Sequence, residues 1–448
     1  MKGKPPNPAL PAVSVHGGNP ILPGYYADPS IVQAEGTVYL YATLDPWGGE
    51  TLGCWESDDW LNWTYRVLNW PTKTACTSPT SKEAMVWAPS VVRGRDGRFY
   101  MAVSVGSEIW AGVAGHPLGP WQNTLGDKPL IPASFKPGYH MIDAEYFLDD
   151  DGRAYLYWGS GWSWENGRCW AARLKADMTT FESEVQDVTP AHYFEAPFMV
   201  KHGGRYYLMY SAGKTTEDTY QVHYAIGDTP FGPFTEPSNS PTLVTDTARS
   251  ILSPGHHAVF TKDNETYILY HRHSLPFDPK SIGRQVCVDR LTFRPNGLIE
   301  KVIPTHEGPP LVQGRHASRP VLSAHAKATA SSQRTSYHDP KCVLDGNYAT
   351  RWAAARDADG AWLQLDLGEV KKITSQELRP EYAWKPYRFI VEGSTDGRRW
   401  HQLADFSKEP ASGSPILIPG MTSVRYLRSV FPENSKGSDI AIFAWTVY

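Results

Sequence analysis

Three features of the sequence predict an all-β chain, a five-bladed β-propeller followed by a β-sandwich: a hairpin motif repeated five times, near-regular spacing of its tyrosines, and a change of pattern after residue 304. The copies are Asp28-Pro-Ser-Ile-Val to Gly36-x-x-Tyr39, Ala88-Pro-Ser-Val-Val to Gly97-x-x-Tyr100, Asp143-Ala-Glu-Tyr-Phe to Gly152-x-x-Tyr155, Glu195-Ala-Pro-Phe-Met to Gly204-x-x-Tyr207, and His257-Ala-Val-Phe to Asn264-x-x-Tyr267. Each reads as a short apolar strand, a tight Gly or Asn turn, and a second strand with alternating aromatics, the signature of a β-hairpin. The tyrosines recur at intervals of 61, 55, 52 and 60 residues, long enough for four strands each. With no amphipathic helix between copies, radial stacking into a propeller fits better than a stacked solenoid.

In a propeller the first strand of every blade begins beside the central axis, so Asp28, Asp143 and Glu195 are expected to meet in one cavity. Carboxylates brought together there repel one another and move one another's pKa values, which acid/base chemistry requires. Read singly, Asp-Pro or Asp-Ala at a strand start is a turn in which Asp bonds its own backbone. Three acids in register make that reading much weaker.

At 448 residues the chain exceeds a typical single domain. Seventeen Trp and 24 Tyr supply core and an aromatic surplus that also suits stacking on sugars. A net charge of −4, with basic residues dispersed, argues against nucleic acid as a partner. No apolar run approaches the roughly 20 residues needed to span a bilayer. Five cysteines without a CxxC pair indicate neither a zinc site nor a full disulfide framework. Met1-Lys-Gly-Lys-Pro-Pro-Asn-Pro has a basic start but no apolar stretch behind it, so no signal peptide is readable.

Residues 1–18 read as an N-terminal extension, 19–303 as the propeller and 304–320 as a linker, where Pro304-Thr-His-Glu-Gly-Pro-Pro310 and Gly314-Arg-His-Ala-Ser-Arg-Pro320 break the pattern. Over 321–448, alternating strands such as Trp362-Leu-Gln-Leu-Asp-Leu-Gly368 and Phe389-Ile-Val-Glu-Gly-Ser are separated by polar loops, which predicts a sandwich.

Several motifs match known families. Asn19-Pro-Ile-Leu-Pro-Gly-Tyr-Tyr-Ala-Asp28-Pro-Ser, Val86-Trp87-Ala-Pro, Ile142-Asp143-Ala-Glu-Tyr-Phe-Leu-Asp-Asp-Asp-Gly152, Phe194-Glu195-Ala-Pro and Ser253-Pro-Gly-His256 resemble glycoside hydrolase family 43 over residues 19–300. Ala144 departs from the proline usual there, a change of backbone shape rather than of chemistry. Residues 318–448, with Leu344-Asp-Gly-Asn-Tyr-Ala-Thr-Arg-Trp352, resemble the discoidin-like domain of coagulation factors 5 and 8, a jelly-roll β-sandwich that overlaps carbohydrate-binding module family 32.

The first resemblance implies that Asp28 is the general base activating water, Glu195 the general acid and Asp143 the residue that raises the pKa of Glu195 and orients it. Inversion needs carboxylates on both faces of the sugar, about 6.5–9.5 Å apart, which agrees with separate roles for Asp28 and Glu195. His256 matches an axial histidine that helps hold a hydrated calcium ion in many members, although a hydrogen-bonded core histidine fits equally. Arg284 sits where the family has an arginine reaching the pocket floor; the alternative is a surface ion pair. Trp87 is expected as a wall of the sugar pocket and Trp47 as another, with burial in the propeller core the alternative for both. Asp345 and Thr350 match a calcium loop of similar modules, with a plain Asx turn the alternative.

Two functions follow as expectations: an inverting exo-glycosidase releasing terminal α-L-arabinofuranosyl residues, with β-D-galactofuranosidase or β-D-xylosidase as alternatives on the same machinery, or a non-catalytic glycan-binding protein. Presence of all three acids favours the enzyme. Its partner would be a polysaccharide or oligosaccharide, and a secreted, periplasmic or cell-surface location is expected, with an intracellular one the alternative if no leader was removed.

Overall fold

The structure, a computed structural model, describes residues 18–82, 84–277, 282–313, 319–356, 360–432 and 440–448. The expected N-terminal extension lies outside these residues apart from Gly18, as do residues 314–318 of the expected linker. Two compact units result: Tyr25–Asp59 with Arg66–Pro309 forms one, and the other includes Trp60–Tyr65 and Pro310–Tyr448. No helix among the described residues is long and apolar enough to cross a membrane.

The first unit is the five-bladed propeller. Blade one contains β1 (Tyr26–Ala34), β2 (Thr37–Leu44), β3 (Gly53–Ser57) and β4 (Thr64–Arg66), and blade two β5 (Val86–Arg93), β6 (Phe99–Val105), β7 (Glu108–Ala114) and β8 (Gln122–Asn123). Blade three contains β9 (Glu145–Leu148), β10 (Ala154–Trp158), β11 (Trp170–Leu174) and β12 (Gln186–Asp187). Blade four has β13 (Glu195–His202), β14 (Arg205–Ala212) and β15 (Gln221–Gly227), and blade five β16 (Gly255–Lys262), β17 (Glu265–His273) and β18 (Arg284–Arg290). Four strands per blade were expected, but the last two blades have three. Their outer edges are reduced to isolated bridges, Val222 to Leu243 and Ile226 to Thr235 in blade four and Phe293 to Ile299 in blade five.

Aromatics fill the seams between successive blades. Tyr41, Trp70, Trp110 and Trp121 are buried between blades one and two, and Tyr157, Tyr193 and Tyr210 between three and four. Each large apolar side chain so buried contributes roughly 1.5–3 kcal/mol. Much of the aromatic surplus therefore holds blades together instead of meeting sugar.

One device recurs at the inner end of every blade. Asp28, Ala88, Asp143, Ala196 and His256 have φ of 52°, 44°, 57°, 55° and 40°, left-handed values that cost a non-glycine residue about 1–3 kcal/mol. The backbone N–H of each donates to a side chain of the preceding blade. Asp28 reaches His271 Nδ1 (3.3 Å), Ala88 reaches Thr43 Oγ1 (2.8 Å), Asp143 reaches Ser104 Oγ (3.0 Å), Ala196 reaches Asp143 Oδ2 (3.2 Å) and His256 reaches Ser211 Oγ (2.9 Å). This ring of five bonds closes blade five onto blade one and satisfies donors that the β-bulges remove from the ladder.

The ring corrects the register read from the repeats. Asp28, Asp143 and His256 are structurally equivalent, but their counterpart in blade four is Ala196, while His256 rather than His257 is the fifth member. Glu195 pairs with Ser211 as Ala27 pairs with Thr43, Trp87 with Ser104 and Gly255 with His271. Glu195 therefore stands one residue earlier, at the position of Trp87.

The second unit is the β-sandwich. Its seven-stranded sheet joins β19 (Lys327–Ala330), β20 (Trp352–Ala353), β21 (Trp362–Pro380), β22 (Ile390–Ser394), β23 (His401–Asp405), β24 (Ile416–Val430) and β25 (Ala441–Val447), ordered β20-β25-β21-β24-β22-β23 with β19 on β21. Trp352, Leu365, Phe389, Leu427 and Trp445 lie in its core. Asp345 and Thr350 do come together: Thr350 Oγ1 donates to Asp345 Oδ2 (2.6 Å), and Asn347 N–H donates to Oδ1 (2.9 Å). Both carboxylate oxygens are thus engaged within their own loop, the geometry of an Asx turn.

Candidate active site

Asp28, Asp143 and Glu195 line one cavity of about 330 Å³ in the propeller, and Trp47, Trp87, His256 and Arg284 line it with them. All seven residues singled out in the propeller sequence are therefore brought together. Asp28 and Asp143 are buried and Glu195 is partly buried, and each acid has a different set of partners.

Asp28 is surrounded by donors. Thr43 Oγ1 donates to its Oδ2 (2.6 Å), and its Oδ1 lies 3.1 Å from His256 Nδ1, 3.4 Å from His271 Nδ1 and 3.5 Å from Arg284 Nη1. Burial raises its pKa, but His256, Arg284 and His271 outweigh burial and hold the carboxyl well below the usual range. Asp28 is the anion of the set.

Glu195 is the opposite case. Burial raises its pKa most, the hydroxyl of Tyr220 opposes that, and the charge of Asp28 adds to it, leaving Glu195 at about 7. Tyr220 donates to Oε1 (2.6 Å) and Ser160 to Oε2 (3.2 Å), so both oxygens are fixed in direction. Asp143 is raised well above the carboxylate range by burial and then by the charges of Glu195 and Asp28. Asp143 and Glu195 cannot both ionise cheaply at neutral pH, and at least one proton stays on the pair.

Arg284 is a buried clasp, which overturns the surface-pair alternative. Its Nη2 and Nε donate to Asp45 Oδ1 (2.5 and 3.0 Å), and its backbone N–H donates to Asp45 Oδ2 (2.6 Å). Since β18 belongs to blade five and Asp45 follows β2, this pair also closes the ring. Trp47 lies over the guanidinium at 4.8 Å and keeps 41% of its surface exposed, so it is a pocket wall and not core. Trp87 is half-buried, its Nε1 donating to Gly106 O (3.3 Å).

His256 presents Nδ1 to carboxylate oxygens, with Asp143 Oδ2 at 3.7 Å beyond Asp28. Burial lowers its pKa, leaving a neutral ring near pH 7. Calcium takes six to eight oxygen ligands. The nitrogen that His256 turns inward is already directed at Asp28, so these residues do not form a calcium cage without several waters.

Sequence reading missed Thr43, Asp45, His140, Ser160, Trp162, Tyr220 and His271. A signal for part of this set existed: the residue four after each repeat tyrosine is Thr43, Ser104, Gly159, Ser211 and His271. Four are polar and serve as ring acceptors. At the fifth, Gly159, a Cβ would lie 2.4 Å from Arg168 O, and the carboxylate of Asp143 takes over as acceptor. Trp162 is 49% exposed and stacks on His140 at 4.1 Å and 18°.

One carboxyl held below the usual range and another raised to about 7 at the same cavity suit the acid/base cleavage of a glycosidic bond, and comparison with known proteins agrees. The family model for glycosyl hydrolases family 43 matches residues 17–299, and that for the F5/8 type C domain matches residues 327–444. The chain belongs to glycosyl hydrolases family 43 and is a glycoside hydrolase. It is 35% identical over 318 residues to the β-D-galactofuranosidase xynD of Aspergillus niger, a match covering 67% of this chain and 88% of the fungal enzyme. It is 27% identical to an arabinoxylan arabinofuranohydrolase of Paenibacillus polymyxa, over 62% of this chain and half of that protein. A solved structure described as a glycoside hydrolase superposes with a TM-score of 0.81 at 28% identity, covering 96% of this chain and 99% of its own.

Proposed function

We propose that the chain is an exo-acting, inverting furanosidase that removes terminal α-L-arabinofuranosyl or β-D-galactofuranosyl residues from polysaccharides or oligosaccharides. The observation that carries this reading is two carboxyls on one cavity with opposite surroundings, Asp28 among a hydroxyl, two imidazoles and a guanidinium and Glu195 between two hydroxyls; the imidazoles and guanidinium lower the pKa of the first while burial raises that of the second. Asp28, ionised and aligned by Thr43 and His256, accepts a proton from water as that water attacks the anomeric carbon. Glu195, protonated and aimed by Tyr220 and Ser160, gives its proton to the departing glycosidic oxygen. Asp143 supplies the like charge that keeps the proton on Glu195.

The two sugars share one ring stereochemistry, galactofuranose carrying a further CH2OH on C5, so a single arrangement of acids serves both. The arabinofuranosyl reading comes from the family resemblance, and the galactofuranosyl one is supported by the 35% identity to the fungal β-D-galactofuranosidase. A panel of p-nitrophenyl glycosides tests the choice: both furanosides should be cleaved faster than the β-D-xylopyranoside. Preferential cleavage of the xylopyranoside would overturn the furanosidase reading.

The pH profile has a definite sign. Asp28 stays charged far into acid and imposes no limb in the ordinary range, whereas Glu195 is active only when protonated. kcat/KM should therefore be flat below neutrality and fall above about pH 7. A steep loss between pH 5 and 4 with the protein still folded would contradict the assignment of Asp28.

Trp162 and His140 form an aromatic ledge at the rim. Burial lowers His140 to about 4, so the ledge is uncharged at neutral pH and suits the face of a sugar on the leaving-group side. Trp162→Ala should lower kcat/KM on an oligosaccharide about 3- to 10-fold, the size of one lost stacking contact. Hydrolysis of a glycosyl fluoride, whose leaving group has no ring, should not change; an equal loss on both substrates would place Trp162 elsewhere.

A further inference from the structure

Away from the catalytic cavity, three residues of blade four converge on one point. His223 lies on β15, Glu236 in the segment after it, and His192 in the segment before β13. Glu236 Oε1 is 2.6 Å from His223 Nδ1 and its Oε2 is 2.7 Å from His192 Nδ1. One ligand-type atom from each residue lies within 4.8 Å of the others, the sole such group found among the described residues. We propose that His192, His223 and Glu236 form a binding site for a zinc-class divalent cation.

The surroundings are those of a prepared site. The His223 side chain is 6% exposed, is stacked on Tyr210 at 5.7 Å and 15°, and is fixed from behind by the Gln221 amide, 2.9 Å from its Nε2. Such a hydrogen bond on the far nitrogen is the usual support of a metal-bound imidazole. Burial lowers the pKa of His223, so its ring is neutral at pH 7. Glu236 sits below its ordinary range, because hydrogen bonds from His223 and His192 outweigh its burial. Two imidazoles and one carboxylate match zinc, nickel or copper and not calcium or magnesium, which take oxygen.

Hydrogen bonding alone accounts poorly for His192. Its side chain is 71% exposed, yet its backbone has φ 58°, a conformation costing about 1–3 kcal/mol. A solvent-exposed imidazole–carboxylate contact returns about 0–1 kcal/mol. A metal bond there offsets the strain.

Binding would move each Nδ1 proton to Nε2, leaving the Nδ1 lone pair for the ion. On His223 the Gln221 amide then turns its oxygen to Nε2, an orientation that exchanges the two ends of the amide. Zinc bonds of about 2.0–2.2 Å in a tetrahedron require ligand atoms roughly 3.3 Å apart. Both carboxylate–imidazole contacts, 2.6 and 2.7 Å, must therefore widen, by roughly 0.6–0.7 Å, through movement of the Glu236 side chain and the exposed His192, and water completes the fourth position.

The test is titration of the tag-free, metal-stripped full chain with zinc chloride in a calorimeter, with calcium and magnesium as controls. One equivalent of zinc with micromolar Kd is expected, and no heat from the controls. His192→Ala and Glu236→Gln should each weaken zinc at least tenfold, with unchanged circular dichroism and aryl-furanoside turnover. Cobalt in place of zinc should give the intense visible bands of a tetrahedral site. Absence of zinc binding at millimolar concentration, or binding undiminished in the His192→Ala, Glu236→Gln double variant, would overturn the proposal.

Discussion

Asp28→Asn is expected to lower kcat on an aryl furanoside by about 10²–10⁴-fold, the contribution of a positioned base, with no loss of fold. The amide oxygen still accepts from Thr43 Oγ1, and the backbone N–H of residue 28 still reaches His271. Glu195→Gln should lose a similar factor on a poor leaving group, because protonation of the glycosidic oxygen is then absent. With a glycosyl fluoride or a dinitrophenyl glycoside, which need little protonation, the Glu195→Gln deficit should shrink while the Asp28→Asn deficit stays. Steady-state rates on the two leaving groups check this. More than about a tenth of wild-type rate in Asp28→Asn on either substrate would remove the base from Asp28.

The second large effect belongs to Asp143, which does two jobs. In the proposed mechanism a negative charge on Asp143 disfavours a second one on Glu195 and so keeps a proton on the pair, and its Oδ2 accepts the N–H of Ala196, the residue after the acid. Asp143→Asn keeps an acceptor for that N–H and removes only the charge. The alkaline limb of the pH profile should move to lower pH, and kcat should drop on the order of 10²-fold as Glu195 loses its proton at the working pH. Asp143→Ala removes the acceptor as well and leaves a buried N–H unpaired, a further cost of about 1–3 kcal/mol. Its Tm should therefore lie below that of Asp143→Asn. An unmoved alkaline limb in Asp143→Asn would exclude the charge role, and equal Tm values would exclude the structural one.

Repetition made the propeller legible. Five hairpins with a common Gly or Asn turn and tyrosine can be aligned by eye, and the acids of blades one and three fall where alignment places them. Glu195 does not, because the hairpin turns differ in length: residues 149–153 separate the first two strands of blade three, and only 203–204 separate those of blade four, so an acid at the same count from its turn glycine stands one step earlier in the ladder. Counting residues back from the glycine is misleading when one turn is longer than another. The partners of the acids were hidden for another reason: Tyr220 immediately precedes a third strand, Ser160 follows a second, and Asp45 sits in a loop, so none belongs to the repeated hairpin.

The aromatic surplus was half readable. Many tryptophans and tyrosines, Trp110, Trp121, Tyr157 and Tyr210 among them, pack between blades, where a sequence rich in both is indistinguishable from one built to stack on sugar. Trp47 and Trp162 differ only because their loops carry them to the rim. Trp47 follows a buried Asp45 that anchors Arg284 beneath it. Trp162 is held by a tight loop in which a Cβ on Gly161 would come 1.7 Å from Glu165 O. Neither fact has a periodic signature.

The central claim is that Asp28 delivers water to the face of the sugar opposite Glu195. Proton NMR of the first minutes of hydrolysis of the better-cleaved p-nitrophenyl furanoside tests it directly, before the free sugar equilibrates. The anomeric signal appearing first should belong to the configuration opposite that of the substrate. First appearance of the substrate's own configuration would mean a covalent glycosyl-enzyme, and the roles given to Asp28 and Glu195 would fall together.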